Sequence, residues 1–273
     1  MCGPAVATDF LGRAALKWNL ATLPRVHSGD VTSSSADHAP AISGAAAEAL
    51  EREAIRLYGR YEIEVIEAYT LCPWAERSRR EGHTRQLVLL GAPVLETALA
   101  AIDVLARDSS AEVGFLLFPT CTLPRVAFER FVSGLRGEDQ QRGAVFAAAA
   151  FHPDAQPDTS DPYRLVPFIR RSPDPTVQLI RRSVLESVRR PGDGGTGYID
   201  PASITDLVAF FQNPPKPPLH ERVAQANLEQ VTRVGTQPIE EILRDIEEDR
   251  ARAYAAVLGA DHPAVHPPWR TSP

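Results

Sequence analysis

Three polar segments of this chain carry residue types able to do chemistry: Leu71-Cys72-Pro73-Trp74-Ala75, Phe151-His152-Pro153-Asp154 and Arg170-Arg171-Ser172-Pro173-Asp174-Pro175-Thr176. Cys72 falls where one helical pattern stops and another starts. A thiol at a helix N-terminus faces unpaired backbone N–H groups and the positive end of the peptide dipole, both of which favour thiolate. It is therefore a candidate nucleophile or metal ligand, and equally a small apolar residue packed beside Trp74. His152 ends an apolar run and is a candidate proton carrier near neutral pH, or a ring that satisfies a local backbone group. Asp154 can orient that imidazole or close its own turn.

Arg170, Arg171 and Ser172 precede a helix start predicted at Asp174, where guanidinium forks and backbone amides can hold a phosphate or carboxylate. Residues 164–190 contain seven arginines against Asp174 and Glu186, a local excess of positive charge in a chain of net charge −6. The same arginines can instead staple the proline-rich segment to Asp158 or Asp161. Cys121 follows Pro119 without a paired motif and reads as structural. A zinc site of Cys72, Cys121 and His152 lacks the tight ligand pairing zinc usually shows, so no metal is assigned.

The elements that must position these residues follow from periodicity. Over residues 48–69, Leu50, Ala54, Leu57, Tyr61, Val65 and Ala68 recur at three- and four-residue steps, which predicts a long amphipathic helix delivering Cys72 to its end. Pro73 suits the first position of a second helix running to Gly82. Residues 85–90, 112–118 and 144–151 read as apolar strands, separated by helical patterns opening at Pro93 and Pro124. More than twenty residues lie between successive strands, so each connection suits a parallel crossover. The expected fold class is α/β: a small, mainly parallel sheet (β-α-β-α-β) with flanking helices and a C-terminal helical extension. Ligands of open parallel sheets sit beyond the carboxyl ends of the strands, which puts Cys121 and His152 on one rim. A helix from Asp174, with Val177, Ile180, Val184 and Val188 as its buried stripe, is expected to follow.

By composition, residues 1–44 form a disordered extension, 45–190 the α/β core, 191–258 a helical extension and 259–273 a loose tail. Three unpaired cysteines, an acidic balance and no long apolar run predict a soluble, cytoplasmic protein without affinity for nucleic acid or membrane. There is no Walker loop, HExxH or GxSxG segment; the glycine-rich stretch that starts at Gly192 follows a helical pattern rather than a strand and reads as a flexible connector, and the cofactor is left undefined.

The ordered set of Leu-Cys-Pro-Trp, Phe-His-Pro and Arg-Ser-Pro-x-Pro-Thr resembles the signature segments of a bacterial group, domain-of-unknown-function family 1415, over residues 61–190. That resemblance implies no reaction. Two functional readings stand. In one, an enzyme uses Cys72 to attack, His152 with Asp154 to move protons, and Arg170 or Arg171 with Ser172 to hold a small anionic substrate. In the other, a non-catalytic module binds an anionic metabolite in the same pocket, or a protein partner through its C-terminal helices.

Overall fold

Apolar periodicity places most of the elements where they are found. The computed structural model describes residues 42, 44–188 and 217–270. The expectations for the N-terminal extension up to residue 41, the glycine-rich loop, the short helix near residue 204 and the start of the proline spacer lie outside the described residues. Helix α1 spans Ala45–Tyr61 and runs directly into a π-helical segment, Glu62–Glu67. Short α2 covers Ala75–Arg80. Then come β1 (Thr84–Val88), α3 (Leu95–Arg107), β2 (Val113–Leu117), α4 (Arg125–Gln141), β3 (Phe146–Phe151) and α5 (Pro162–Ile169). The Asp161 carboxylate caps α5 by accepting the Tyr163 N–H at 2.8 Å. Strand β4 (Thr176–Arg181) follows, then α6 (Arg182–Val188), α7 (Leu219–Val234) and α8 (Gln237–Leu258).

The sheet order is β1-β2-β4-β3, with β1 and β2 parallel and β4 antiparallel to both of its neighbours. This corrects the expectation of a mainly parallel β-α-β-α-β sheet. Strands β1, β2 and β3 do point the same way, since β2 and β3 both oppose β4. The stretch predicted as a helix from Asp174 instead enters the gap between them as a strand. In Thr176-Val177-Gln178-Leu179-Ile180-Arg181, Val177 and Ile180 are three apart and mimic a helical stripe. The buried apolar residues, however, are Val177 and Leu179, at the two-residue step of a strand, and β-branched Thr, Val and Ile suit the pleat. Helix starts only at Arg182.

One apolar cluster joins α3 and α4 to one face of the sheet through Leu116, Val177 and Leu179. A second joins α1, α5, α7 and α8 to the other face through Phe115, Leu117 and Phe151. Helix α8 is fastened to α1 by ion pairs from Arg56 to Asp249 and from Arg60 to Asp245 and Asp249. Part of the stretch that composition suggested as a loose tail is packed: Ala264, Val265 and Trp269 are buried. No helix among the described residues is long and apolar enough to cross a membrane.

Candidate functional site

The three polar segments meet around Tyr61. Leu117 at the end of β2 and Phe151 at the end of β3 both lie opposite Thr176, so the two strand ends flank the start of β4 on one rim. The His152 N–H donates to the Arg170 carbonyl at 3.0 Å, joining the second and third segments. Tyr61, 1% exposed, donates its hydroxyl to the Ile169 carbonyl at 2.7 Å. Leu71 packs in the same core as Tyr61, Phe151 and Ile169, which anchors the first segment. Tyr61 is also within electrostatic range of both Cys72 and Arg170.

His152 is 3% exposed, and both of its ring nitrogens meet backbone groups. The Asp154 N–H points at Nδ1 (3.1 Å), so the hydrogen-bond network assigns the ring proton to Nε2, which donates to the Leu123 carbonyl at 3.0 Å. Asp154 thus orients the imidazole through its amide, while its side chain is exposed. The ring lies edge-on to Trp269, with centroids 5.0 Å apart, and near Phe128. This neutral, doubly engaged ring holds the β3 end, the 119–124 loop and the C-terminal segment together.

Cys72 is partly exposed. The Trp74 and Ala75 amides approach its sulfur as expected of a helix start, yet the thiol is pushed up from its ordinary value, by burial first and then by the nearby Glu62 and Glu67 carboxylates. The expectation that this position favours thiolate is corrected accordingly. A six-residue helix supplies little dipole, and desolvation plus two acidic neighbours outweigh its amides. Glu67 is held by a two-pronged contact from Arg79 at 2.6 and 2.7 Å. Glu62 is 5% exposed, and burial, reinforced by Glu67, raises its carboxyl to about 7.

The backbone here departs from regular helix. Ala68 N–H bonds five residues back to Ile63, and the helix then closes in a Schellman turn, with Leu71 N–H to the Ile66 carbonyl (2.8 Å) and Thr70 N–H to the Glu67 carbonyl (2.9 Å). Thr70 occupies the left-handed position of that turn at φ 54°, where a β-branched residue is strained. Thr70→Gly is expected to raise stability by about 1 kcal/mol net of glycine's extra chain entropy. That is a rise of about 2–4 °C in thermal unfolding for a chain of this size. A fall in melting temperature would contradict the strain.

The third segment divides. Arg170 lines a small cleft with Arg125, Glu129, Ala150, His152, Val166 and Pro167. Its guanidinium lies 5.5 Å from the centroid of the Phe151 ring. Arg171 stacks over Phe168 instead, at 6.0 Å. Ser172 is buried and donates its hydroxyl to the Asp174 carbonyl at 2.6 Å. The Asp174 carboxylate is buried too, receiving Arg250 Nε at 2.7 Å and the Tyr254 hydroxyl at 2.6 Å. Arg250 also donates to the Pro119 carbonyl at 3.1 Å, closing a polar cluster under the rim beside Cys121.

Of the expected site residues, the fold thus brings His152 and Arg170 to one cleft, whereas Cys72 stands with Tyr58, Tyr61, Glu62 and Glu67. Glu62 and Arg250 were missed from the sequence. Each had a signal: Glu62 lies four residues after Tyr58 and three before Val65, and Arg250 continues the Ile239, Leu243, Ile246 series to Tyr254. A charged residue on an apolar stripe must find a partner or change its protonation.

A family model described as a protein of unknown function, DUF1415, matches residues 60–193. That span holds Tyr61, Glu62, Cys72, His152, Arg170 and Asp174, and excludes Arg250, Tyr254 and Trp269. No curated protein and no solved structure gives a match.

Proposed function

The chain belongs, through residues 60–193, to the DUF1415 family of proteins of unknown function, and we propose that it binds a small anion in the cleft floored by Arg170. One observation carries this reading. Among the described residues, the Arg170 guanidinium has neither a carboxylate nor a hydrogen-bond acceptor, although it is largely enclosed. Burial pulls it below its ordinary value, Tyr61 opposes that shift and Arg136 adds to it. A cation desolvated without a counter-charge is costly, and an anion entering the cleft relieves that cost.

The rest of the lining fits. Arg125 supplies a second guanidinium, held among the described residues by a partly exposed contact to Glu129 at 3.3 Å that an incoming anion can replace. Val166, Pro167 and Ala150 form apolar walls. The space suits inorganic phosphate or a short carboxylate. Glu129 brings a carboxylate to the same lining, and it is paired with Arg125.

Inorganic phosphate and acetate, titrated separately against the full chain by calorimetry and by thermal shift, are expected to bind and to raise the melting temperature. Arg170→Gln should weaken binding by about 10- to 100-fold, the worth of one charge-assisted hydrogen bond. Arg52→Gln, on the exposed face of α1, should leave it unchanged. Binding that is undiminished in Arg170→Gln, or no binding of either anion, defeats the reading.

A further inference from the structure

We propose that an extended peptide ending in a free carboxylate adds as a parallel strand to the open edge of β3 and delivers that carboxylate to the Arg170 cleft. The inference rests on the anion reading above and names the carrier of the anion.

Strand β3 is an edge strand, and its register shows which backbone groups are left over. The Arg182 N–H donates to the Val145 carbonyl at 2.9 Å, and Phe146 stands opposite Arg181. Bonded and non-bonded pairs alternate along an antiparallel ladder, so Ala147, Ala149 and Phe151 bond β4 while Phe146, Ala148 and Ala150 turn their N–H and C=O outward. The Phe146 carbonyl accepts Arg182 Nε at 3.3 Å. Among the described residues, nothing bonds the four outward groups of Ala148 and Ala150. Residues 147–150 are partly exposed, and they carry no charge, proline or bulge of the kind that protects an edge.

This edge closes where the cleft begins. His152, next in the outward series, gives its N–H to the Arg170 carbonyl at 3.0 Å, and Ala150, His152 and Arg170 share the cleft lining. A strand lying on the edge must therefore end or turn at that point. Arg125 and Arg170 line it, and Arg136 is near enough to act on the Arg170 charge. A peptide N-terminus would add positive charge to this group, whereas a C-terminal carboxylate complements it, which sets the incoming chain parallel to β3. A second copy of β3 offers no such end, because it runs on into His152 and Pro153.

Parallel geometry then fixes the pairing. The last peptide residue gives its N–H to the Ala150 carbonyl. The residue two before it bonds both the Ala148 carbonyl and the Ala150 N–H, and the carbonyl of the residue four before the end accepts the Ala148 N–H. Four main-chain bonds thus precede the carboxylate. The residue three before the end stands opposite Ala148 and shares its face of the sheet, which packs on α3 and α4. There a second hollow, lined by Ile102, Leu135, Phe146 and Ala148 with Arg136 and Asp139 among its polar groups, receives an apolar side chain.

The probe is acetyl-Thr-Leu-Thr-Thr-Val with a free C-terminus, titrated by calorimetry against the full chain beside acetate and phosphate. It is expected to bind at least about tenfold more tightly than acetate, and at least about tenfold more tightly than its own C-terminal amide. N-methylation of the last residue removes the donor to Ala150 and should cost a similar factor. N-methylation of the residue before it, whose N–H faces away from β3, should cost little. Replacing the peptide leucine by serine should weaken binding several-fold. Ala148→Pro removes an outward N–H without touching the β4 ladder; once thermal unfolding verifies its fold, it should lose the peptide and keep acetate. If acetate binds but the peptide binds no tighter, strand addition is overturned and the anion reading stands. Equal affinity for acid and amide, or for the two N-methylated peptides, overturns it on the unmutated chain. A dimer seen by sedimentation that Ala148→Pro dissolves gives the edge to a second copy and overturns it as well. No binding of acetate, phosphate or the peptide defeats both readings together.

Discussion

Removing the Asp174 carboxylate is expected to lower folding stability by about 3–5 kcal/mol, the penalty for leaving a buried charge without its partner. Arg250 is fully buried, and its contacts are Asp174, the Pro119 carbonyl and the Tyr254 ring face at 4.2 Å. In Asp174→Ala the guanidinium keeps one carbonyl and an aromatic face, and the Tyr254 hydroxyl loses its acceptor. Since a domain's whole stability is about 5–15 kcal/mol, this single change brings the protein close to unfolding. The effect should reach beyond the rim. Asp174 lies between Ser172 and β4, while Arg250 and Tyr254 lie on α8, so the contact ties the C-terminal helix to the start of the inserted strand. Urea titration of Asp174→Ala and Arg250→Met, singly and together with Tyr254→Phe, measures it. The combined Asp174→Leu, Arg250→Met and Tyr254→Phe variant is expected to recover most of the loss, because apolar replacement of a whole buried ion pair is often neutral. A single-variant loss below about 1 kcal/mol would show that the pair is solvated in solution.

The second large effect depends on pH. Glu62 has its carboxyl raised from 4.5 to about 7 in the folded protein, by burial first, then Glu67, against Arg79. Below 4.5 the group is protonated in both folded and unfolded chains, and it imposes no penalty. Between 4.5 and 7 the unfolded chain releases the proton while the folded one retains it, so stability falls as pH rises. Above the folded value the penalty is complete, about 3 kcal/mol. Glutamine keeps the shape of the neutral carboxyl without its titration. Glu62→Gln is therefore expected to gain about 3 kcal/mol over wild type near pH 8 and almost nothing near pH 4, as read from denaturant midpoints at the two values. Equal stability of the two proteins at both values would mean that Glu62 is solvated or paired.

The same contrast explains what could be read from the residues. The helix delivering Cys72 showed three- and four-residue apolar steps, and it is where periodicity put it. Strands β1, β2 and β3 were legible as apolar runs, and their common direction followed from the long connections between them. Strand β4 was not legible, because Val177 and Ile180 support a helical reading as well as an extended one. The choice is made by a gap between β2 and β3 whose ladder hydrogen bonds only an extended segment can satisfy. Arg170 was legible as a cation in an arginine-rich stretch, but the lack of a counter-charge for it among the described residues was not. The expectation that Cys72 favours thiolate rested on the amides of Trp74 and Ala75, which are present, and could not include the desolvation that outweighs them.

By itself, the sequence determined where most of the helices and three of the strands form and which polar segments lie at their ends, because hydrophobic periodicity and turn chemistry act over a few residues. Only the tertiary structure decided the protonation of Cys72 and Glu62, the engagement of both His152 nitrogens and the partner of Asp174. Those depend on which distant elements exclude water from each group, and Arg250 stands 76 residues from the carboxylate it holds. Burial and pairing are properties of the enclosure, and the enclosure exists only once the sheet has closed around its fourth strand.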